Sequence, residues 1–361
     1  MSVFVSAGRV AKMLPAACAV ILIAGVAAGC AGRPASGSSS SPAKATAKAT
    51  AKAAAKAAVK APVKATSRPR TPLWTLSDRG IKTELIMRLK APPALVVLGG
   101  SRALRFQPGF IRRATGLSAF NAAVPHATPE DEWSFVNLFH ERFPAARFRF
   151  LWIIHCDEFD EFSPEADLLK DPFLSRFLPQ SYVDARLNVL GPSADAMLLA
   201  DARQPSVITP DGFTVWDTLS AAAARGTLRQ RVNGYIKSTL AFYRRTPPRI
   251  DPLPSHYFTM TLRLMNDMGA KPTIVLAPLQ PWYLAAIYNH GWQARRRLVL
   301  AYLHGLQRTY RFNVLDFSRL ASIGGSPTGF YDAVHLRPAT CRLVVKAVLR
   351  ALPQAFAPPR E

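Results

Sequence analysis

The sequence predicts an α/β fold on a doubly wound parallel sheet of about five strands, for three reasons. Short apolar runs rich in β-branched or aromatic residues recur five times after position 90. Helix-like stretches separate them, and strands alternating with helices imply a parallel sheet covered on both faces. The chain has 361 residues and is 49% hydrophobic, yet no apolar run reaches 18 residues after position 30. One sizeable buried core follows, and neither a multi-pass membrane protein nor a wholly disordered chain fits.

From the N-terminus, Arg9 and Lys12 precede an apolar run of small residues over 14–28, the charged and hydrophobic regions of a secretory signal. The run ends Val26-Ala27-Ala28-Gly29-Cys30. Residues 1–30 thus resemble a lipoprotein-type signal with Cys30 as the acylated residue, although Ala27 stands where Leu is commonest; an ordinary cleaved signal or an uncleaved anchor are the alternatives. Residues 31–70 collapse to an Ala/Lys/Pro-rich tether with lysines at 44, 48, 52, 56, 60 and 64. Like charges four apart repel, and Pro42 and Pro62 limit any helix, so no core forms there. The first 70 residues hold 7 Lys, 4 Arg and no acid. That charge suits anionic wall polymer or phospholipid headgroups, or a plain solvated spacer; export argues against nucleic acid.

The body, 71–361, carries candidate strands at 94–98, 118–122, 148–154, 273–277 and 312–317. Candidate helices lie at 130–142, 256–268, 291–310 and 338–352. The stretch 160–255, between the third and fourth strands, is too long for a simple crossover. It reads as an insertion with an amphipathic helix over 218–243, placed to cap the crevice or to act as packing filler. Ligands of such sheets bind beyond the carboxyl ends of the strands, so the loops after Leu98, Asn121, Ile154, Ala277 and Phe317 are expected around one crevice.

Two of those loop regions carry complementary chemistry. The first strand runs into Leu98-Gly99-Gly100-Ser101-Arg102, and Tyr331-Asp332-Ala333-Val334-His335 precedes the last helix. A hydroxyl becomes a nucleophile when an imidazole takes its proton, and a carboxylate fixes that imidazole's tautomer. Ser101, His335 and Asp332 supply these three roles if the two loops converge. Taken singly, a Ser after paired glycines is a common turn and Asp-x-x-His is a weak signal.

In these motifs the chain resembles the SGNH (GDSL-like) hydrolase superfamily, in particular an exported branch with a Gly-Ser-Ser-Arg-like first block that includes proteins of cell-envelope acyl transfer. The likeness spans roughly 94–352 outside the insertion and implies a flavodoxin-like sheet with Ser101 as nucleophile and Asp332 and His335 as its partners. The family's second block, Asn-x-x-x-x-Gly-x-Thr, is matched from Asn121 to Thr128, with His126 at the glycine. Its third block, Gly-x-Asn-Asp, is replaced by His155-Cys156-Asp157-Glu158. Two oxyanion positions therefore depart from the pattern, at His126 and Asp157. Arg102 or a protonated His126 could compensate, as could an Asp157 kept neutral by burial. The resemblance implies a serine esterase or O-acyltransferase on acylated envelope carbohydrate or, if the site is degenerate, a wall-associated glycan-binding lipoprotein.

Competing chemistry is weakly signalled. Gly99-x-Ser101-x-Ala103 superficially matches the nucleophile elbow of α/β-hydrolases, but that elbow follows several strands and only tail is expected before this one. His126, His155, Cys156, Asp157 and His335 lack dedicated metal-ligand spacing, so no metal is assigned. No phosphate-binding glycine loop is present, so no cofactor is implied. Pro278-Leu279-Gln280-Pro281-Trp282 at the end of the fourth strand is either a substrate wall or plain loop packing. In the resembled fold Cys156 and Cys341 flank one crevice, so the two are expected close together; a disulfide between them is the weaker expectation.

Overall fold

The computed structural model describes residues 72–356 except Glu161, Ser163 and Gln204. The signal segment, Cys30 and the lysine tether lie outside the described residues. In chain order the elements are α1 (Asp78–Arg88), β1 (Leu95–Gly99), α2 (Pro108–Thr115), β2 (Ala119–Asn121), α3 (Pro129–Arg142) and β3 (Arg149–Ile154). The insertion holds α4 (Ala166–Lys170), α5 (Pro172–Ser175), α6 (Gln180–Leu190) and α7 (Ser193–Arg203). It continues through the hairpin β4 (Val207–Ile208) and β5 (Thr214–Trp216) to α8 (Thr218–Ala223) and α9 (Leu228–Arg245). The chain returns through α10 (Pro252–Asp267), β6 (Thr273–Leu276), α11 (Pro281–Ile287), α12 (Gln293–Leu306), β7 (Asn313–Asp316) and α13 (Pro338–Ala351).

Five strands form one sheet in the order β2-β1-β3-β6-β7, every neighbour parallel. This is the flavodoxin-like doubly wound order, and it reverses direction between β1 and β3, where ligand crevices open. Both faces are covered, so the central strands β1, β3 and β6 are near-continuous apolar runs rather than alternating, while the outer strands β2 and β7 carry polar ends. Val96 and Leu98 join Trp152 and Phe258 in one hydrophobic cluster, while Leu95 and Val97 join Ile153 and Val344 in another. Gly99 ends β1 with φ +129, and a Cβ there would stand 2.2 Å from the Ile153 carbonyl oxygen of β3. Only glycine lets β1 lie this close to β3 and then turn sharply into Ser101.

Buried arginines tie the insertion to the rest of the domain. Arg105, just past Ser101, donates to the Thr214 carbonyl, to Asp217 at 2.5 Å and to Ser220 at 2.6 Å. The hairpin loop also caps the edge of β2, since the Asn121 N–H donates to the Asp211 carbonyl at 2.9 Å. Arg295 of α12 is buried against Asp160 at the start of the insertion.

Three local expectations need correction. The helix expected over 218–243 is two helices, broken where Gly226 takes φ +69 and Thr227 opens α9 with a capping box to Gln230. The stretch 291–310 begins in a π-turn, Tyr288–Trp292, that leads into α12. A helix rather than tail precedes β1. Its apolar signature is faint because α1 buries Arg79, Lys82 and Thr83 beside Ile86.

Cys156 and Cys341 are both buried and both free, so they form no disulfide. Nor does the packing pair them: Cys156 belongs to the cluster of Leu98 and Trp152, Cys341 to the cluster of Val97 and Ile153. Alternate side chains of β1 and β3 supply these two clusters, so the thiols belong to the two different cores. Burial raises both thiols far above their usual pKa.

Candidate functional site

Ser101 opens a single 3-10 turn, Ser101–Ala103, whose N-cap is Gly100, with the Ala103 N–H donating to the Gly100 carbonyl at 2.8 Å. Beyond β7, Phe330 and Leu336 pair as an isolated bridge, and the Tyr331 N–H donates to the His335 carbonyl at 2.8 Å. This closed turn presents Asp332 and His335 on one side. Neighbours hold it in place: Gln280 N–H donates to the Ala333 carbonyl at 3.0 Å and Arg231 Nε of α9 to the Tyr331 carbonyl at 2.6 Å.

The two loops meet. His335 Nε2 lies 2.8 Å from Ser101 Oγ, and His335 Nδ1 lies 2.7 Å from Asp332 Oδ2. Asp332 Oδ1 accepts from the backbone N–H groups of Val334 at 2.9 Å and His335 at 3.0 Å. Burial alone would raise the Asp332 carboxyl, but the facing imidazole and those N–H donors bring it down to about 2. It is therefore an anion at neutral pH, placed to hold the proton on Nδ1 and leave Nε2 free to accept one from Ser101.

The second-block residues divide in role. Asn121 is not in the site: it is fully buried, its Nδ2 donates to the carbonyls of Ala103 and Phe106 at 2.9 Å each, and its Oδ1 accepts from the Ala123 N–H at 2.9 Å. Every strong polar direction of the amide is spent stitching the nucleophile loop to the second-block loop. His126 does reach the site. It holds φ +48, a left-handed backbone that glycine adopts at least cost, and its exposed ring pairs with Glu165 at 3.1 Å. The chain thus keeps the backbone shape of a glycine while carrying an imidazole. That turn brings the Ala127 nitrogen within 3.7 Å of where a Gly100 Cβ would stand. The Ser101 and Ala127 N–H groups have no hydrogen-bond acceptor among the described residues.

Asp157 lines the cavity beside Ser101, but its carboxylate is committed to the protein: Tyr243 donates to Oδ2 at 2.8 Å and Arg295 Nε lies 3.5 Å from Oδ1. It is not placed as a donor to an oxyanion. Arg102 lines the same cavity near Asp157 and the phenols of Tyr235, Tyr243 and Tyr283. No hydrogen bond or ion pair within 4 Å engages its guanidinium among the described residues. His155 is pushed well below its usual pKa by burial and by the nearby cations of Arg102 and Arg295, so its ring is neutral. In the Pro278–Trp282 segment Gln280 is buried, with Oε1 accepting from the N–H groups of Trp282 and Tyr283. Trp282 stands outside the cavity and Tyr283 lines it.

Sequence reading missed the brace behind the second block. Arg79 of α1 is paired with Asp131 at 2.7 Å and donates to the Pro125 carbonyl at 3.1 Å, while Lys82 donates to the Ala123 carbonyl. Burial pulls the Lys82 ammonium down to about 7. The only signal that could have found them is two bases four positions or fewer apart on a helix that must bury one face.

The sequence matches no protein-family model and no curated protein, so fold and geometry carry the functional argument by themselves.

Proposed function

We propose that the chain is an exported serine esterase or O-acyltransferase acting on acylated cell-envelope carbohydrate through an ester formed on Ser101. The observation that carries this reading is the unbroken hydrogen-bonded series from Asp332 through His335 to Ser101 at the carboxyl end of β1. His335 Nε2 takes the Ser101 proton as Oγ attacks the ester carbonyl, and Asp332 stabilises the imidazolium that forms. The carbonyl oxygen becomes negative beside the unused N–H groups of Ser101 and Ala127, with the Arg102 cation nearby. His335 then protonates the departing alcohol, leaving the acyl-enzyme. A second alcohol or water, deprotonated by the same nitrogen, releases it. Export, the lipid anchor on Cys30 and the affinity of the lysine tether for anionic wall polymer complete the reading from the sequence.

A second reading, a catalytically silent glycan-binding protein, is favoured by one feature: Asp157 stands where the resembled family has an amide donor, and a lost oxyanion donor costs about 3 to 4 kcal/mol of transition-state stabilisation. Ser101→Ala discriminates. Loss of p-nitrophenyl ester hydrolysis to the buffer rate, with an unchanged melting curve, supports the enzyme; equal rates in parent and variant reject it.

A further inference from the structure

Ser101 stands at the boundary of two cavities. The larger, about 380 Å³, is lined by Ser101 and Arg102 and by Ile153, Tyr235, Phe242 and Tyr283, with the acidic residues Glu130, Asp157, Glu158 and Asp160 also on its wall. The smaller, about 210 Å³, is lined by Ser101 and His335 and by Asp78, Ser206 and Asp217. Ser101, His126 and Glu165 line both, so the nucleophile and the His126–Glu165 pair form the partition. The base, His335, faces only the smaller one.

We infer that the two cavities divide the ester between them: the larger receives the acyl group and the smaller the alcohol, which is a neutral polyhydroxyl compound such as a sugar. This rests on the acyl-enzyme reading above. Whichever hydroxyl leaves in the first step or enters in the second must exchange its proton with His335 Nε2, so its oxygen has to lie on the His335 side. In the second step the sugar oxygen attacks the acyl carbonyl and its proton passes to His335 Nε2. The carbonyl carbon to Ser101 Oγ bond then breaks, and Oγ takes that proton back. A new sugar ester and the free serine result, with no further reactant. The acyl chain, bonded to the same carbonyl, is left to the other side. There the volume is roughly a dozen water volumes at ~30 Å³ each, far beyond an acetyl methyl.

The charge of the smaller cavity selects its occupant. It is lined by the carboxylates of Asp78, Glu165, Asp167 and Asp217, with Arg79 as the basic residue. Arg79 is already paired with Asp131 and Asp167, and Asp217 with Arg105. Lys82 lies near Asp78 and His126 pairs with Glu165, so the cations here are already engaged by carboxylates and an anionic acceptor finds no free cation among the described residues to hold it. Asp78 Oδ2 is different: it is buried with no hydrogen-bond partner, and the Ser206 hydroxyl lies beside the same carboxyl. A buried acceptor without a donor is costly, and a sugar hydroxyl supplies one.

The test uses the full chain, p-nitrophenyl octanoate as donor, and methyl glucoside or glucose 6-phosphate as acceptor, with ester products separated by mass. Octanoyl glucoside is expected to form and octanoyl sugar phosphate not. Asp78→Asn and Ser206→Ala should each raise the glucoside concentration for half-maximal transfer, by about tenfold for the carboxylate change, while preference for octanoate over acetate stays as in the parent. Thr239→Phe, which fills the larger cavity, should reverse that preference and leave the half-maximal glucoside concentration alone. Equal transfer to both sugars, or acceptor dependence that moves with Thr239→Phe and not with either alcohol-side change, overturns the division. Hydrolysis that obeys the Ser101→Ala test without any transfer to glucoside refutes the sugar assignment while leaving the nucleophile intact. Absence of p-nitrophenol release by the parent overturns the acyl-enzyme reading and this inference together.

Discussion

Replacing Asp332 by Asn separates the electrostatics of the site from its architecture. Asn keeps an oxygen able to accept from the Val334 and His335 N–H groups at 2.9 and 3.0 Å, so the turn survives. Its amide nitrogen, however, replaces the oxygen that sits 2.7 Å from His335 Nδ1. Two N–H donors cannot face each other at that distance. The imidazole therefore shifts its proton to Nε2, which lies 2.8 Å from Ser101 Oγ, and there it can donate but no longer accept. A base locked in the wrong tautomer loses about 10⁴ in kcat, about 5.5 kcal/mol at the transition state. Stopped-flow hydrolysis of a p-nitrophenyl ester, with Tm as the control for folding, measures it. A fall of less than tenfold, at unchanged Tm, refutes the assigned role. The same carboxylate gives a pH signature. Its folded pKa of about 2 is below its usual 3.8, so the folded state binds fewer protons, and the stability it contributes is complete above about pH 4 and is lost as pH falls through 2.

Other consequences are open to measurement. Asn121→Ala removes a fully buried amide with three separate loop contacts and should cost about 3 kcal/mol; a Tm within 2 °C of the parent would contradict the stitching role. Glu132 is buried with both carboxyl oxygens unpartnered, and burial with the neighbouring Glu158 raises it well above its usual value. Burial first of all lifts Glu158 itself to about 8 from 4.5. The folded state then holds extra protons between about pH 4.5 and 8, so stability from these groups falls as pH rises through that window. Glu132→Gln should accordingly gain more Tm at pH 8 than at pH 5, and an equal or opposite change rejects the assignment. Native protein should protect the Cys156 and Cys341 peptides from iodoacetamide, while denaturant without reductant exposes both as free thiols; recovery of the two joined by a disulfide would falsify their assignment to separate cores.

Legibility in the sequence followed the kind of signal each feature leaves. The three central strands are apolar on both faces, and the edge strands β2 and β7 sit in short runs bounded by apolar residues, which is why each lies within a residue or two of its expected place. Ser101, Asp332 and His335 were visible because two short motifs fall at strand ends that the parallel topology brings together. Asn121 was legible as a motif residue but not in its role, since only in the fold does its amide reach back to Ala103 and Phe106 rather than outward. Helix α1 was hidden because it buries charge, and the break before Thr227 because Ala-rich and amphipathic segments on either side share one helical propensity. The expected disulfide between Cys156 and Cys341 failed because loops that border one crevice can still send their side chains into opposite layers of the sheet.

The central claim is that Ser101 is an activated nucleophile. Incubating the full chain with a fluorophosphonate and mapping the modified peptide tests it most directly, because that reagent reports a serine deprotonated by its neighbour and needs no knowledge of the natural ester. The geometry predicts one adduct, on Ser101, abolished in Ser101→Ala and strongly slowed in Asp332→Asn. An unmodified chain, or a label on any other serine, would contradict it.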